Sequence, residues 1–251
     1  MEPTNASLYG KGVFTTIAIR DALPFLWEKH WRRLAANAKT VGIDLSNYSR
    51  SIVSEAIASS IESEQLASGR LRITFFDERP SAIWPGGSSD STSLSIITGG
   101  IREVADIFKL TLSPFPVNSR SPLKGVKSCN YLENLMAIEE AKTRGFHEAI
   151  RMNERGEVTS AAMANVFWLK DEVLYTPSLA TGCLAGTTRE FVLENLDCRE
   201  VDVGIDELNS ADAIYLTSAG LGIVAVAEFG DRNLPNPPHQ ISRLLALSQG
   251  R

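Results

Sequence analysis

The sequence predicts an α+β protein in two parts. These are a small α+β domain over residues 1–113 and a larger, barrel-like α/β domain over residues 125–251, joined by a linker at 114–124. Three observations predict it. In the first part, strand-like segments at 13–19, 70–76 and 94–99 bracket two stretches with helical apolar spacing. Pro114 and Pro116, followed by an Asn/Ser/Arg run, then break the chain before a new unit. Beyond a mid-chain helix, short apolar segments joined by tight turns form a meander that can curl into a barrel-like sheet.

In chain order, VFTTIAI at 13–19 is β-branched and aromatic and follows a Gly turn, so it reads as a strand. A turn at 21–24 leads to PFLW at 24–27 as the start of a second short strand. Trp27, Trp31, Leu34, Ala38 and Val41 then fall at helical steps up to Gly42. A second helix is expected over about 46–66, with Ile52, Val53, Ala56, Ile57 and Ile61 as its core. RLRITFF at 70–76 alternates as a strand. A Pro/Gly/Ser-rich loop at 80–93 separates it from LSIITG, and 107–112 reads as one more strand of the first domain. After the linker, Tyr131, Leu135, Ile138 and Ala141 mark a helix closed by Gly145. HEAIRM, EVTS, NVFWL and VLYTP follow as strands, then a helix opened by Gly186-Thr187-Thr188, the strand AIYL, and a last helix after Pro235.

Composition excludes several classes of function. The 251 residues carry a net charge of −5 with Lys and Arg scattered, which leaves no basic patch for nucleic acid. No apolar run approaches the ~18–20 residues of a membrane span, and the start lacks the pattern of a secretion signal. Cys129, Cys183 and Cys198 are odd in number and far apart. They argue for a reducing compartment and against zinc, and His30, His147 and His239 are too scattered for a metal cage. The expectation is a soluble cytoplasmic protein without a metal.

Chemistry concentrates around a lysine. Lys127 stands at the junction of linker and helix, where a flexible amine is free to project. Arg33 adjoins the apolar stripe of the first helix. Thr187 and Thr188 open a helix whose free backbone N–H groups suit a phosphate, and Thr217-Ser218-Ala219-Gly220 places small hydroxyl residues at a strand end. Each feature alone has a structural reading: surface charges for the two cations, capping and turn chemistry for the hydroxyls. Together they match what pyridoxal 5'-phosphate requires, a lysine for covalent attachment, anchors for the phosphate and a group facing the ring nitrogen.

Six motifs in order carry a family resemblance: YGKGVFTT (9–16), HWRRL (30–34), KSCNYL (127–132), GEVTSAAMANVFWLKDEVLYTP (156–177), LAGTTRE (184–190) and TSAGLGI (217–223). The chain resembles the class IV aminotransferases, the fold type IV pyridoxal-phosphate enzymes. That family holds branched-chain and D-amino-acid aminotransferases and 4-amino-4-deoxychorismate lyase. The resemblance implies a homodimer acting on a small amino substrate, with Lys127 bearing the cofactor and Arg33 binding its phosphate. It further implies that Thr187, Thr188, Ser218 and Ala219 contact the phosphate, and that Thr16 assists proton transfer. The three-residue step from Lys127 to Asn130 is similar to the lyase and D-amino-acid branches, and YGKGVFTT and ANVFW are most similar to the lyases, which serve folate biosynthesis. An aminotransferase and a non-catalytic protein of the same fold are the alternatives.

Three departures stand out. Ser160 occupies the position at which the family carries a glutamate that keeps the ring nitrogen protonated. Strand alternation places Ser160 on the face of Val158 and Glu157 on the other, so Glu157 is not a substitute. A neutral serine leaves the ring nitrogen largely unprotonated, which elimination tolerates better than transamination. Gly10-Lys11-Gly12 replaces the usual Gly-Asp-Gly, and only MEPTNASL precedes Tyr9, so the first sheet is expected to lack an edge strand. Arg79 is a candidate for a substrate carboxylate.

Overall fold

A computed structural model describes residues 2–81, 91–235, 237, 239–241 and 243–244. Most of the expected loop at 80–93 and most of the expected last helix lie outside the described residues. The chain divides into two compact units, Met1–Arg102 with Val126–Tyr131, and Glu103–Gly125 with Leu132–Arg251.

The first unit opens with helix α1 (Asn5–Tyr9), capped by Thr4 and ended by Gly10 in the left-handed region. Strand β1 (Gly12–Arg20), a two-residue β2 (Leu23–Pro24), helices α2 (Trp27–Thr40) and α3 (Arg50–Ser63), β3 (Gly69–Asp77) and β4 (Thr92–Gly99) follow. The sheet is antiparallel in the order β2-β1-β3-β4. Val13, Ile17 and Ile19 of β1 with Leu71, Ile73 and Phe75 of β3 point to one face, where Leu34, Ala38, Val53, Ile57 and Ile61 of the two helices bury them. Phe14 opposite Thr74 and Thr16 opposite Arg72 occupy the other face.

Two local expectations change. The second strand is Leu23–Pro24 rather than one beginning at PFLW, because Leu26 turns into the left-handed region (φ 58) and Trp27 starts the helix. α3 starts at Arg50 rather than at about 46, capped by Ser49, whose hydroxyl accepts from the Ile52 N–H, and Ile52 is left 48% exposed. Among the described residues the sheet runs from β2 to β4, and a helix, α1, rather than a strand precedes β1, in line with the expected lack of an edge strand. Buried Asp77 ties this end together: Lys11 Nζ lies 2.9 Å away, Arg79 Nη2 2.5 Å, and Asn5 Nδ2 donates at 3.3 Å. Burial opposes ionisation of Asp77, yet hydrogen bonds from Arg79 and Lys11 hold its carboxyl well below the usual range. The lysine of Gly10-Lys11-Gly12 is therefore a counterion, and the Arg79 guanidinium grips Asp77.

The second unit contains β5 (Lys109–Leu112), α4 (Leu132–Thr143), β6 (Glu148–Met152), β7 (Val158–Ala161), β8 (Asn165–Lys170) and β9 (Val173–Pro177). After these come α5 (Thr187–Asn195), β10 (Cys198–Val201), α6 (Asp206–Asn209), β11 (Ala213–Ser218), β12 (Gly222–Ala225), β13 (Glu228–Phe229) and β14 (Arg232–Asn233). Two five-stranded sheets, β10-β9-β8-β11-β12 and β14-β13-β5-β6-β7, share one core. Leu110, Ile150 and Val158 from one meet Val166, Trp168, Ile214 and Leu216 from the other, which is the barrel-like arrangement expected. Helix α5 covers the outer side of β8 and β11 through Val192 against Phe167 and Tyr215.

β5, expected in the first domain, pairs in parallel with β6 and so belongs here, whereas residues 126–131 fold with the first unit. The linker is not loose. The Val117 N–H donates to the Met152 carbonyl, the carboxylate of Glu154 accepts from the N–H and hydroxyl of Ser119, and Arg151 donates to the carbonyls of Phe115 and Pro116.

Candidate active site

Lys127 is placed by strand pairing, not by the helix after it. The Phe14 N–H donates to the Lys127 carbonyl (3.0 Å), the Cys129 N–H donates to the Gly12 carbonyl (2.8 Å), and Val13 and Ser128 form an antiparallel bridge. Glycine is required at position 12, since a Cβ there would lie 2.8 Å from Cys129 Sγ and 3.1 Å from the Phe75 carbonyl oxygen. The pairing puts Lys127 and Cys129 on the face that carries Phe14, Thr16 and Arg72.

On that face the Lys127 amine lies 4.5 Å from the centroid of the Phe14 ring and 4.7 Å from that of Tyr131, and it donates to the Tyr131 hydroxyl at 3.2 Å. Phe14 and Tyr131 meet edge to face, and the Arg72 guanidinium covers Phe14 at 3.7 Å. Burial, then the charges of Arg33 and Arg72, lower the Lys127 pKa to about 7. Near neutral pH a large share of this lysine is a free amine, the form that attacks a carbonyl or accepts a proton. Tyr131, expected on the helical stripe, precedes α4 and serves Lys127 instead. Leu135 of that stripe is 43% exposed.

Arg33 rises from α2 on the helix face of the sheet. Its Nη2 donates to Thr15 Oγ1 at 2.9 Å, and the same oxygen lies 2.7 Å from Nδ1 of buried His30. Adjacent threonines thus look opposite ways. Thr15 holds Arg33, and Thr16 shares the face of Phe14 and stands opposite Arg72 in β3.

In the second unit Thr187 and Thr188 are buried in the first turn of α5, which starts from Gly186 without a side-chain cap. Asn165 braces this turn, its Nδ2 donating to the Leu184 carbonyl at 2.8 Å. A Cβ on Gly186 would sit 2.0 Å from Asn165 Oδ1, so glycine lets the turn close on that side chain. Asn165 pairs with Thr217 of β11, whose buried hydroxyl has no hydrogen-bond partner among the described residues. A helix start at Gly186, buried threonines and an unsatisfied hydroxyl suit a phosphate, so these residues fit the cofactor that the sequence implies. Ser218 and Ala219 form the adjoining turn, in which Ser218 Oγ accepts from the Leu221 N–H at 3.1 Å.

Ser160 lies half-buried on β7, opposite Arg151 in the other sheet of the unit. The strict alternation expected here does not hold. Arg151 pairs with Ser160 but Met152 with Val158, so Thr159 is an extra residue in a bulge, with its hydroxyl donating to the Arg151 carbonyl. Glu157 is occupied at the preceding turn, where Arg155 and Asn153 donate to it. Its carboxyl is held below the ordinary range, first by the hydrogen bond from Arg155.

Thr15, Arg72 and Asn165 escaped the sequence reading. Strand parity was the available signal for Arg72, because pairing 13–19 antiparallel with 70–76 brings an arginine beside Thr16 or its neighbours. Asn165 carried no such signal, since its partners lie on a distant turn.

Comparison with known proteins extends over nearly the whole chain. The aminodeoxychorismate lyase of Bacillus subtilis (strain 168) is 26% identical over 256 residues, covering 96% of this chain and 85% of that protein. The D-alanine aminotransferase of Bacillus licheniformis is also 26% identical, covering 90% and 81%. A Legionella pneumophila crystal structure, provisionally named 4-amino-4-deoxychorismate lyase, superposes with a TM-score of 0.91 at 25% identity, covering 99% of this chain and 94% of that one. The family model for amino-transferase class IV matches residues 12–229, a span that includes Lys127, Arg33 and both hydroxyl-rich turns, and the chain belongs to that family.

Proposed function

We propose that this protein is a pyridoxal-phosphate enzyme of the 4-amino-4-deoxychorismate lyase type, releasing pyruvate from aminodeoxychorismate to leave 4-aminobenzoate. The observation that carries the reading is Lys127, an amine held near neutrality on a segment pinned to β1. When bound, the cofactor supplies an electron-withdrawing ring at the substrate's α-carbon. Lys127 would hold the cofactor covalently; as a free amine its Nζ takes the α-proton and passes a proton to the departing enolpyruvate oxygen, assisted by the Thr16 hydroxyl. Arg33 binds the phosphate, with Thr187, Thr188, Ser218 and Ala219 as further contacts. Ser160 would face the ring nitrogen. The Phe14 and Tyr131 rings flank the amine and limit its hydration, while burial and the charges of Arg33 and Arg72 keep its pKa low.

The second reading is an aminotransferase, favoured by the equal identity to a D-alanine aminotransferase. Overall identity does not choose between the two. Ser160 favours the lyase, because a neutral hydroxyl would support a developing carbanion less than a carboxylate that keeps the ring protonated. The retained Lys127 and Arg33 argue against a non-catalytic role. We further propose a cytoplasmic homodimer serving folate biosynthesis, in keeping with three free cysteines.

The test is product analysis with aminodeoxychorismate beside a panel of L- and D-amino acids with 2-oxoglutarate or pyruvate. Formation of 4-aminobenzoate and pyruvate, with weak amino transfer, is expected. Rapid transfer from an amino acid with no 4-aminobenzoate would replace this reading by the second. Borohydride treatment should fix the cofactor mass on the peptide containing Lys127, and a label on another lysine would remove Lys127 from its role.

A further inference from the structure

Arg33 is the cation assigned above to the cofactor phosphate, yet it does not reach its position unaided. Its guanidinium carries only donors, so the Thr15 hydroxyl must accept from Nη2 at 2.9 Å. That same oxygen lies 2.7 Å from His30 Nδ1, with Thr15 at 0% and His30 at 1% exposure. A threonine hydroxyl has one hydrogen to give. If it accepts from Arg33, its own hydrogen is left for Nδ1, which places the imidazole proton on Nε2. Thr15 sits mid-strand and His30 three residues before Arg33 on α2, so both ends of the chain of bonds rest on regular structure.

We propose that Thr15 and His30 are positioning residues that orient Arg33 toward the cofactor phosphate, an inference resting on the assignment of Arg33 made above. An arginine side chain has several rotatable bonds, and a phosphate gains most from it when the fork is held in place beforehand. The His30–Thr15–Arg33 chain supplies that restraint from the buried side. Burial, then the charges of Arg33 and Lys127, hold the His30 pKa well below its ordinary value. A neutral imidazole is the form able to accept at Nδ1, and it adds no second positive charge beside Arg33.

The experiment compares binding of pyridoxal 5'-phosphate and of pyridoxal, which lacks the phosphate, to the cofactor-free full chain, followed by tryptophan fluorescence. Thr15→Val keeps the shape and strand preference of the residue and removes only the hydroxyl. It should weaken pyridoxal phosphate about tenfold or more while changing pyridoxal less than about twofold. Thr15→Ser should restore most of the preference. Equal weakening of both ligands, or of neither, overturns the proposal, since a merely structural role would not distinguish them. If Thr15→Val fails to fold, His30→Leu is read in the same way: selective loss supports the relay and an unchanged ratio overturns it. Arg33→Gln separates the two levels of inference. If it leaves the preference for the phosphorylated ligand intact, Arg33 is not the phosphate arginine and both statements fall. If it abolishes the preference while Thr15→Val and His30→Leu do not, only the positioning role falls.

Discussion

At Lys127, burial and the charges of Arg33 and Arg72 act in one direction, and the consequence reaches folding as well as chemistry. In the unfolded chain this lysine titrates near its ordinary value of 10.5, and in the folded chain at about 7. Between these limits the unfolded state binds more protons, so stability should rise with pH from about 7 towards 10 and fall on the return. Lys127→Met removes the dependence. In the cofactor-free protein its stability gain over the native sequence should be largest at or below pH 7 and shrink towards pH 10 in denaturant titrations. A gain independent of pH would mean that the amine is not desolvated. Ser160 bears on the reaction itself. Ser160→Glu should raise the amino-acid half-reaction about tenfold or more, for which about 1.4 kcal/mol of added carbanion stabilisation suffices, and should change pyruvate release much less. Equal responses would show that Ser160 does not act on the ring nitrogen. The lysine, the arginine and the serine were legible because each sits in a local motif. Thr15 and Arg72 were not, because their roles exist only once β1, β3 and α2 are packed.

The elements explain which parts of the site were readable. Period-2 and helical patterns located β1, β3, α2 and the run from β6 to β9, because each buries one face or sits wholly inside a core. β10 and β12 went unread, since CREV at 198–201 has only half-buried or exposed positions and GIVA at 222–225 is a short run behind a turn. The bulge at Thr159 was invisible for another reason: an extra residue leaves no mark in a single strand's pattern and shows only against its partner. The start of α5 offers a direct test of how tightly such an element is built. Gly186 has an ordinary φ of −70°, so alanine is allowed by its backbone and the cost is purely steric, a Cβ 2.0 Å from Asn165 Oδ1. Asn165 cannot swing away cheaply while it bonds to the Leu184 carbonyl. Gly186→Ala should therefore destabilise by about 1–3 kcal/mol and weaken cofactor phosphate binding. Much of that cost should vanish in an Asn165→Ser background, and a cost that persisted unchanged there would assign the strain elsewhere.

For the whole molecule, the sequence expectation of a sheet in want of an edge strand leads to a prediction about assembly. In the first unit β4 is the outermost strand of its sheet among the described residues, opposite the two-residue β2. Its eight residues, TSLSIITG, contain no charge and no proline, the devices by which proteins ordinarily keep a long edge from pairing. Ile97 on it is 60% exposed and Ile101 just beyond it 71% exposed. In the second unit, Leu132 is 67% exposed and Met136 45% on one helix, α4. Apolar side chains left in water in this way, together with family membership, lead us to predict a homodimer in which a second copy covers β4. Light scattering at micromolar concentration should give twice the chain mass, and a monomer would refute the prediction outright. Ile97→Lys puts a charge on the edge at a position whose side chain is already mostly in solvent, so folding of the single chain should be spared. It should shift the protein towards monomer at the same concentration. If the variant stays fully dimeric, the covered surface is not β4, and the exposed apolar face of α4 becomes the next place to introduce the charge.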